Sequence, residues 1–147
     1  FQLNVDIVGE TDVTADAELL AVAVDMMRAF GLTPEDVVAR VSDRRLLAAL
    51  LLGAGLTEAQ LPAAYAAIDK AERDPRDVLL ARLAEAGVAP DAAARALALA
   101  RRTTVDELRA EHGGDPRVGE ALDRLARYFG YLEALGAGGW AVLDLTI

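Results

Sequence analysis

With 147 residues, 54% of them apolar, the chain is long enough to bury the core of one domain. It has no cysteine, which excludes a disulfide framework and thiolate metal ligands, and no apolar run reaches the roughly 18 residues of a membrane span. A net charge of −9 argues against an independent nucleic-acid binder, because affinity for phosphate rests on clustered Lys and Arg.

Residues 1–8 alternate, with Phe1, Leu3, Val5 and Ile7 on one face and Gln2, Asn4 and Asp6 on the other, which predicts a strand ended by Gly9. Leu19, Leu20, Val22, Ala23, Met26, Met27 and Phe30 then fall at helical spacing, so 15–30 reads as an amphipathic helix stopped at Gly31. After a turn at Thr33-Pro34, the β-branched run Val37 to Ser42 predicts a second strand. From Asp43 to about Gly136 the pattern is helical throughout. Asp43 can cap a helix from Arg44 to about Leu52. Thr57-Glu58-Ala59-Gln60 is a capping box opening a helix to about Ala71. Asp74-Pro75 starts one running to about Ala86, with Gly87 as its stop, and Pro90 opens another to about Arg102. Thr104 to Glu107 is a second capping box, and Asp115-Pro116 begins the last helix, to about Leu135. Beyond the glycines at 136, 138 and 139, Trp140 to Ile147 predicts a third strand. A helical block of about six helices flanked by strands is the pattern of an insertion into a sheet-based domain. The sequence opens at Phe1 rather than Met, inside a strand pattern, and closes inside another, so an internal piece of a larger protein is expected; its first residues carry no signal- or transit-peptide pattern.

The charge is uneven. Residues 1–69 carry −7 and residues 103–147 carry −4, whereas 70–102 carry +2. That middle stretch holds Lys70 (the only lysine), Arg73, Arg76, Arg82, Arg95, Arg101 and Arg102. Arg101 and Arg102 could contact phosphate, and they could equally serve as dipole partners at a helix C-terminus. If the Gln2, Asn4, Asp6 face lines a pocket, it offers a carboxylate that accepts and amides that donate and accept; the same alternation is ordinary on a solvent-facing sheet. His112, the only histidine, reads as a loop residue beside Gly113-Gly114. Trp140 and the Tyr128, Phe129, Tyr131 group read as packing. No catalytic constellation, metal-ligand spacing or phosphate loop is present.

Phe1-Gln2-Leu3-Asn4-Val5-Asp6-Ile7-Val8-Gly9 resembles the strand after the motif 2 loop of histidyl-tRNA synthetases. Ala15 to Glu18, Val41-Ser42-Asp43-Arg44-Arg45, Ile68-Asp69-Lys70, His112-Gly113-Gly114 and Tyr131 to Gly136 follow in that family's order, and Val142 to Ile147 resembles the segment before its arginine-glycine-leucine-aspartate-tyrosine-tyrosine motif. The resemblance covers essentially the whole chain. It implies an α+β fold: three strands of a class II synthetase antiparallel sheet, interrupted by a mostly helical insertion. Residues 1–42 would belong to the catalytic core, 43–138 to the insertion and 139–147 to the returning core strand. It implies that Gln2 and Asp6 line the histidine and adenylate pocket, with the carboxylate accepting from the imidazole, and that the insertion approaches the acceptor stem of tRNA(His), with Arg101 and Arg102 as candidate contacts. ATP with Mg2+, a homodimer and a cytoplasmic location, with no membrane association, follow for the parent enzyme.

The departures are as informative. Motif 1, the arginine of motif 2, the histidine-specific arginine, motif 3 and the anticodon-binding domain are absent, so the chain alone is expected to bind no cofactor and to be inactive. The alternative is the synthetase-like regulatory subunit of ATP phosphoribosyltransferase in histidine biosynthesis; the length of the helical block favours the synthetase.

Overall fold

The structure is a computed structural model that describes residues 2–147. Its described residues form seven α-helices and a two-stranded parallel sheet, an α+β arrangement. They divide into two compact units: residues 1–39 with 123–142, and residues 40–122 with 143–147.

In the first unit, α1 (Val13–Ala29) begins at Asp12, whose carboxylate accepts from the Thr14 N–H at 3.0 Å. That bond and the Arg127 guanidinium hold the Asp12 carboxyl below the usual range. Val13, Ala17 and Val24 are buried on α1, as are Leu125, Tyr128 and Leu132 on the C-terminal part of α7. Burial, with a contribution from Asp16, pushes the Tyr128 hydroxyl up to about 12. Arg28, at the end of α1, donates to the Gly136 carbonyl and stacks 5.5 Å from the centroid of the buried Trp140 ring. One arginine therefore fixes the turn that follows α7.

The strand expected over 1–8 is not found. Phe1 lies outside the described residues, and residues 2–8 have no regular structure. A strand needs a hydrogen-bonded neighbour, and the described sheet is confined to β1 (Ala39–Val41) and β2 (Ala141–Leu143). The expected three antiparallel strands are thus two parallel ones. Parallel pairing suits their connection, because strands joined by a long crossover need no hairpin. The third predicted strand is also shorter than expected: Gly138–Trp140 is a 3-10 turn and regular pairing ends at Leu143.

In the second unit, α2 (Arg44–Gly53) is capped by Asp43, whose carboxylate accepts from the N–H groups of Arg45 and Leu46 at 2.8 and 3.2 Å. Leu46, Leu47, Leu50 and Leu51 are buried, the spacing of a single helical face. The next helix opens with a 3-10 turn (Glu58–Gln60) and continues as α3 (Leu61–Ile68), with the Thr57 N–H donating to Gln60 Oε1 at 2.9 Å. Pro75 is the N-cap of α4 (Arg76–Glu85), rather than its first helical residue, and Asp74 pairs with Arg82 instead of capping. α5 (Pro90–Leu99) stops three residues short of its predicted end. Thr104 must adopt an extended backbone to cap α6 (Val105–His112), so the chain leaves the helix before it. α7 (Pro116–Ala134) starts after Asp115, which accepts from the Arg117 N–H at 2.9 Å.

Where β1 and β2 end, a polar clasp lies wholly within the second unit. The Asp144 N–H donates to the Val41 carbonyl at 2.8 Å. The Arg40 guanidinium bonds the Asp144 carboxylate, Thr146 Oγ1 at 2.8 Å and Glu72 Oε1 at 3.2 Å. Asp144 accepts in turn from the Thr146 N–H and hydroxyl at 2.8 and 2.6 Å. Thr146 is the buried polar residue of the described core, and this network satisfies it. Burial pushes the Asp144 carboxyl up, but the bonds from Arg40 and Thr146 outweigh it and hold the group below its ordinary value.

Two outcomes follow. Gly87 follows the C-cap of α4 with a φ of +75°, where a Cβ costs about 1–2 kcal/mol; Gly87→Ala should lower urea-unfolding stability by that amount at unchanged m. Because the folded Asp144 carboxyl is depressed, its contribution is present above the unfolded value near 3.9 and is lost as pH falls through the folded one. Stability should therefore drop as pH falls from about 5 through the unfolded value and below it, and Arg40→Met should make that drop smaller. An identical acid profile in Arg40→Met would show that the clasp does not set it.

Candidate functional site

The helices α3, α4 and α5 contact one another. A short turn joins α4 to α5, which makes them antiparallel neighbours. The Gln60 side chain, just before α3, donates to the Gly87 carbonyl in that turn at 2.8 Å. The start of α3 therefore lies at the Gly87 end of the layer. The end of α3, the start of α4 and the end of α5 lie together at the opposite end. This brings Lys70, Arg73 and Arg76, from the start of the cationic stretch, to the same end of the layer as Arg101 and Arg102, from its close.

These cations differ in availability. Arg73 pairs with Asp69 at 3.2 Å, and Arg82 with Asp74. Arg95 spends its Nε and Nη2 on the Ala54 carbonyl, at 3.1 and 2.9 Å. Arg102 is bound side-on by Glu111, with Nη2 2.6 Å from Oε1 and Nε 3.0 Å from Oε2. Lys70, Arg76 and Arg101 are exposed and, among the described residues, have no ion pair. The residue-by-residue reading singled out Arg101 and Arg102 and passed over Lys70 and Arg76. Their signal lay in the topology: only the fold of α3 against α4 and α5 turns residues about 25–30 apart in sequence into neighbours. Neither arginine of the 101–102 pair lies within α5, although their N–H groups continue its last turn through the Ala98 and Leu99 carbonyls, at 3.2 and 3.0 Å.

Gln2 and Asp6 are exposed on the irregular segment 2–8. The Gln2 amide donates to Asn4 Oδ1 at 3.0 Å. Among the described residues, no group of three His, Asp or Glu side chains could hold a metal ion, and no helix is long and apolar enough to cross a membrane.

The second unit holds two open cavities of about 260 Å³ each. One is walled by Leu47, Ile68, Leu145 and Thr146 with Arg44 at its rim, the guanidinium 4.5 Å from the centroid of the Tyr65 ring. The other is lined by Leu50, Glu111, His112, Asp115 and Val118. His112 Nε2 stands 3.6 Å from Glu111 Oε2. Tyr128 is buried and meets Phe129 edge-on at 5.5 Å, and Trp140 is buried too, so the aromatic groups are packing as expected.

The family model described as histidyl-tRNA synthetase matches residues 1–147. A chloroplastic/mitochondrial histidine–tRNA ligase of Arabidopsis thaliana is 33% identical over all of the chain and 30% of its own length. A histidine–tRNA ligase of Halobacterium salinarum is 37% identical over 99% of the chain and 33% of its own length. The crystal structure of histidyl-tRNA synthetase from Nostoc sp. PCC 7120 superposes on 94% of the chain and 34% of its own with a TM-score of 0.80 at 16% identity, a likeness of fold. The chain spans about a third of these relatives, and it belongs to the histidyl-tRNA synthetase family.

Proposed function

We propose that this chain is the insertion-bearing part of the catalytic domain of a histidine–tRNA ligase, an enzyme that activates histidine with ATP and transfers it to tRNA(His). The observation that carries the reading is the family match along all 147 residues. Residues 1–42 and 139–147 belong to the catalytic core, and 43–138 form the insertion. Gln2 and Asp6 face the histidine and adenylate once the rest of the catalytic sheet pairs with their segment. A carboxylate accepting from an imidazole N–H rejects ligands lacking that donor, because the buried acceptor is then left unpaired. ATP is a substrate of the complete enzyme. It is used there with Mg2+, and the chain alone is read as binding neither. The parent enzyme is a cytoplasmic homodimer.

The helical layer approaches the tRNA acceptor stem through its cationic end. Net −9 does not prevent this, because screening confines the acidic flanks to about a Debye length of roughly 8–10 Å. Lys70, Arg76 and Arg101 carry most of the phosphate contact, since no acidic side chain already holds them.

Three outcomes test the reading. The 147-residue chain should give no histidine-dependent ATP–pyrophosphate exchange; exchange by the chain alone would sink the claim that it is inactive. In the full-length ligase, Asp6→Asn should lower kcat/KM for histidine roughly 10- to 100-fold, the loss expected when a charged hydrogen-bond acceptor is neutralised, with little change in KM for ATP. Replacing Lys70, Arg76 and Arg101 together by Ala should flatten the dependence of log K for tRNA(His) on log[KCl] by about two to three; an unchanged slope would remove this end of the layer from the RNA interface.

A further inference from the structure

We propose that Glu111 is a specificity-determining residue of the RNA interface: an internal mimic of phosphate that occupies Arg102 and is displaced by a phosphodiester. The inference rests on the RNA-contact reading above and deepens it. A guanidinium presents two parallel N–H donors to a two-oxygen edge, and carboxylate and phosphate offer the same edge. Glu111 fills that edge now, through Nη2–Oε1 at 2.6 Å and Nε–Oε2 at 3.0 Å. Arg102 is 32% exposed and Glu111 43%. The pair is therefore open to water on one side, where such pairs are weak and screened, and an incoming phosphate has a route to it.

Local structure keeps the two groups facing each other. Arg102 lies in the turn before α6, and Glu111 lies in the last turn of that helix. Glu107 is the other acidic group near Arg102, but it is spent on the cap: it accepts from the Thr103 N–H at 3.3 Å and the Thr104 hydroxyl at 3.1 Å. Arg102 can thus change partner without unravelling the start of α6. The neighbouring Arg101, together with Lys70 and Arg76, is not held in this way. These three attract any polyanion. Arg102 answers only to a phosphate placed well enough to replace Glu111, so the exchange favours an RNA whose backbone fits all four cations over one that meets only the three. The device raises selectivity and lowers affinity.

The test is filter binding of the 147-residue chain to a tRNA(His) transcript and to an unrelated tRNA, over a KCl series starting near 25 mM, with circular dichroism as the check on folding. Glu111→Gln should bind both RNAs about 3- to 10-fold more tightly, with a slope in log[KCl] steeper by about one and a smaller ratio between the two RNAs. Glu111→Asp keeps the charge but shortens the reach, and should show part of the same gain, which a change in net charge could not produce. Arg102→Ala should cost little in the wild-type background and several-fold in Glu111→Gln. Equal gains from Glu111→Gln with and without Arg102, together with a flat Glu111→Asp, would overturn the exchange and leave the RNA interface standing. If the chain binds no RNA, or binds it without regard to Lys70, Arg76 and Arg101, the interface itself fails and the exchange fails with it.

Discussion

The bond that the second unit depends on is the one between the Val41 carbonyl and the Asp144 N–H, with the Arg40 clasp around it. Everything from residue 42 to residue 143 is chain that departs from one partner of that bond and returns at the other. The clasp sits where burial is greatest for a polar group, since Thr146 is 6% exposed and its hydroxyl and N–H both have protein partners. Removing Arg40 would leave the Asp144 carboxylate, only 14% exposed, without its counter-ion, which costs more than the pair contributes when made. Asp144 shows the balance directly: burial raises its pKa, and the bonds from Arg40 and Thr146 lower it by more.

Much of this was legible in the sequence, and the reason is local. Asp43, Thr57-Gln60, Thr104-Glu107 and Asp115 are capping signals whose partners lie two or three residues away, so chain order alone places them. The stops at Gly87 and Gly136 are equally local. What failed was what depends on distant chain. The alternation over residues 2–8 is a true strand pattern, but a strand is a relation between two segments, and among the described residues none pairs with it. Asp74 read as a cap because capping needs only its own neighbours; the competing partner, Arg82, is two helical turns on. For the candidate site, the same limit divided the cations. Arg101 and Arg102 stood out by adjacency, while Lys70 and Arg76 joined them only through the packing of three helices.

The distribution of arginine partners changes what the net charge means. Position alone counts all seven cations from residue 70 to residue 102 as one patch, yet Arg73 and Arg102 are paired with their own acidic neighbours, Arg82 with Asp74, and Arg95 is spent on the Ala54 carbonyl. Free positive charge is the part of the count that a ligand can use, and it is concentrated at one end of the α3–α4–α5 layer. Such a local excess acts within a Debye length and is unaffected by acidic segments farther away.

The closeness of Val41 and Asp144 has an evolutionary consequence. Because the helical excursion begins and ends at neighbouring points, helices can be gained or lost between them without moving either strand, and the entropy of closing the loop rises only with the logarithm of its length. A segment tethered in this way is free to diverge in size and sequence while the strands on which it is mounted keep their register.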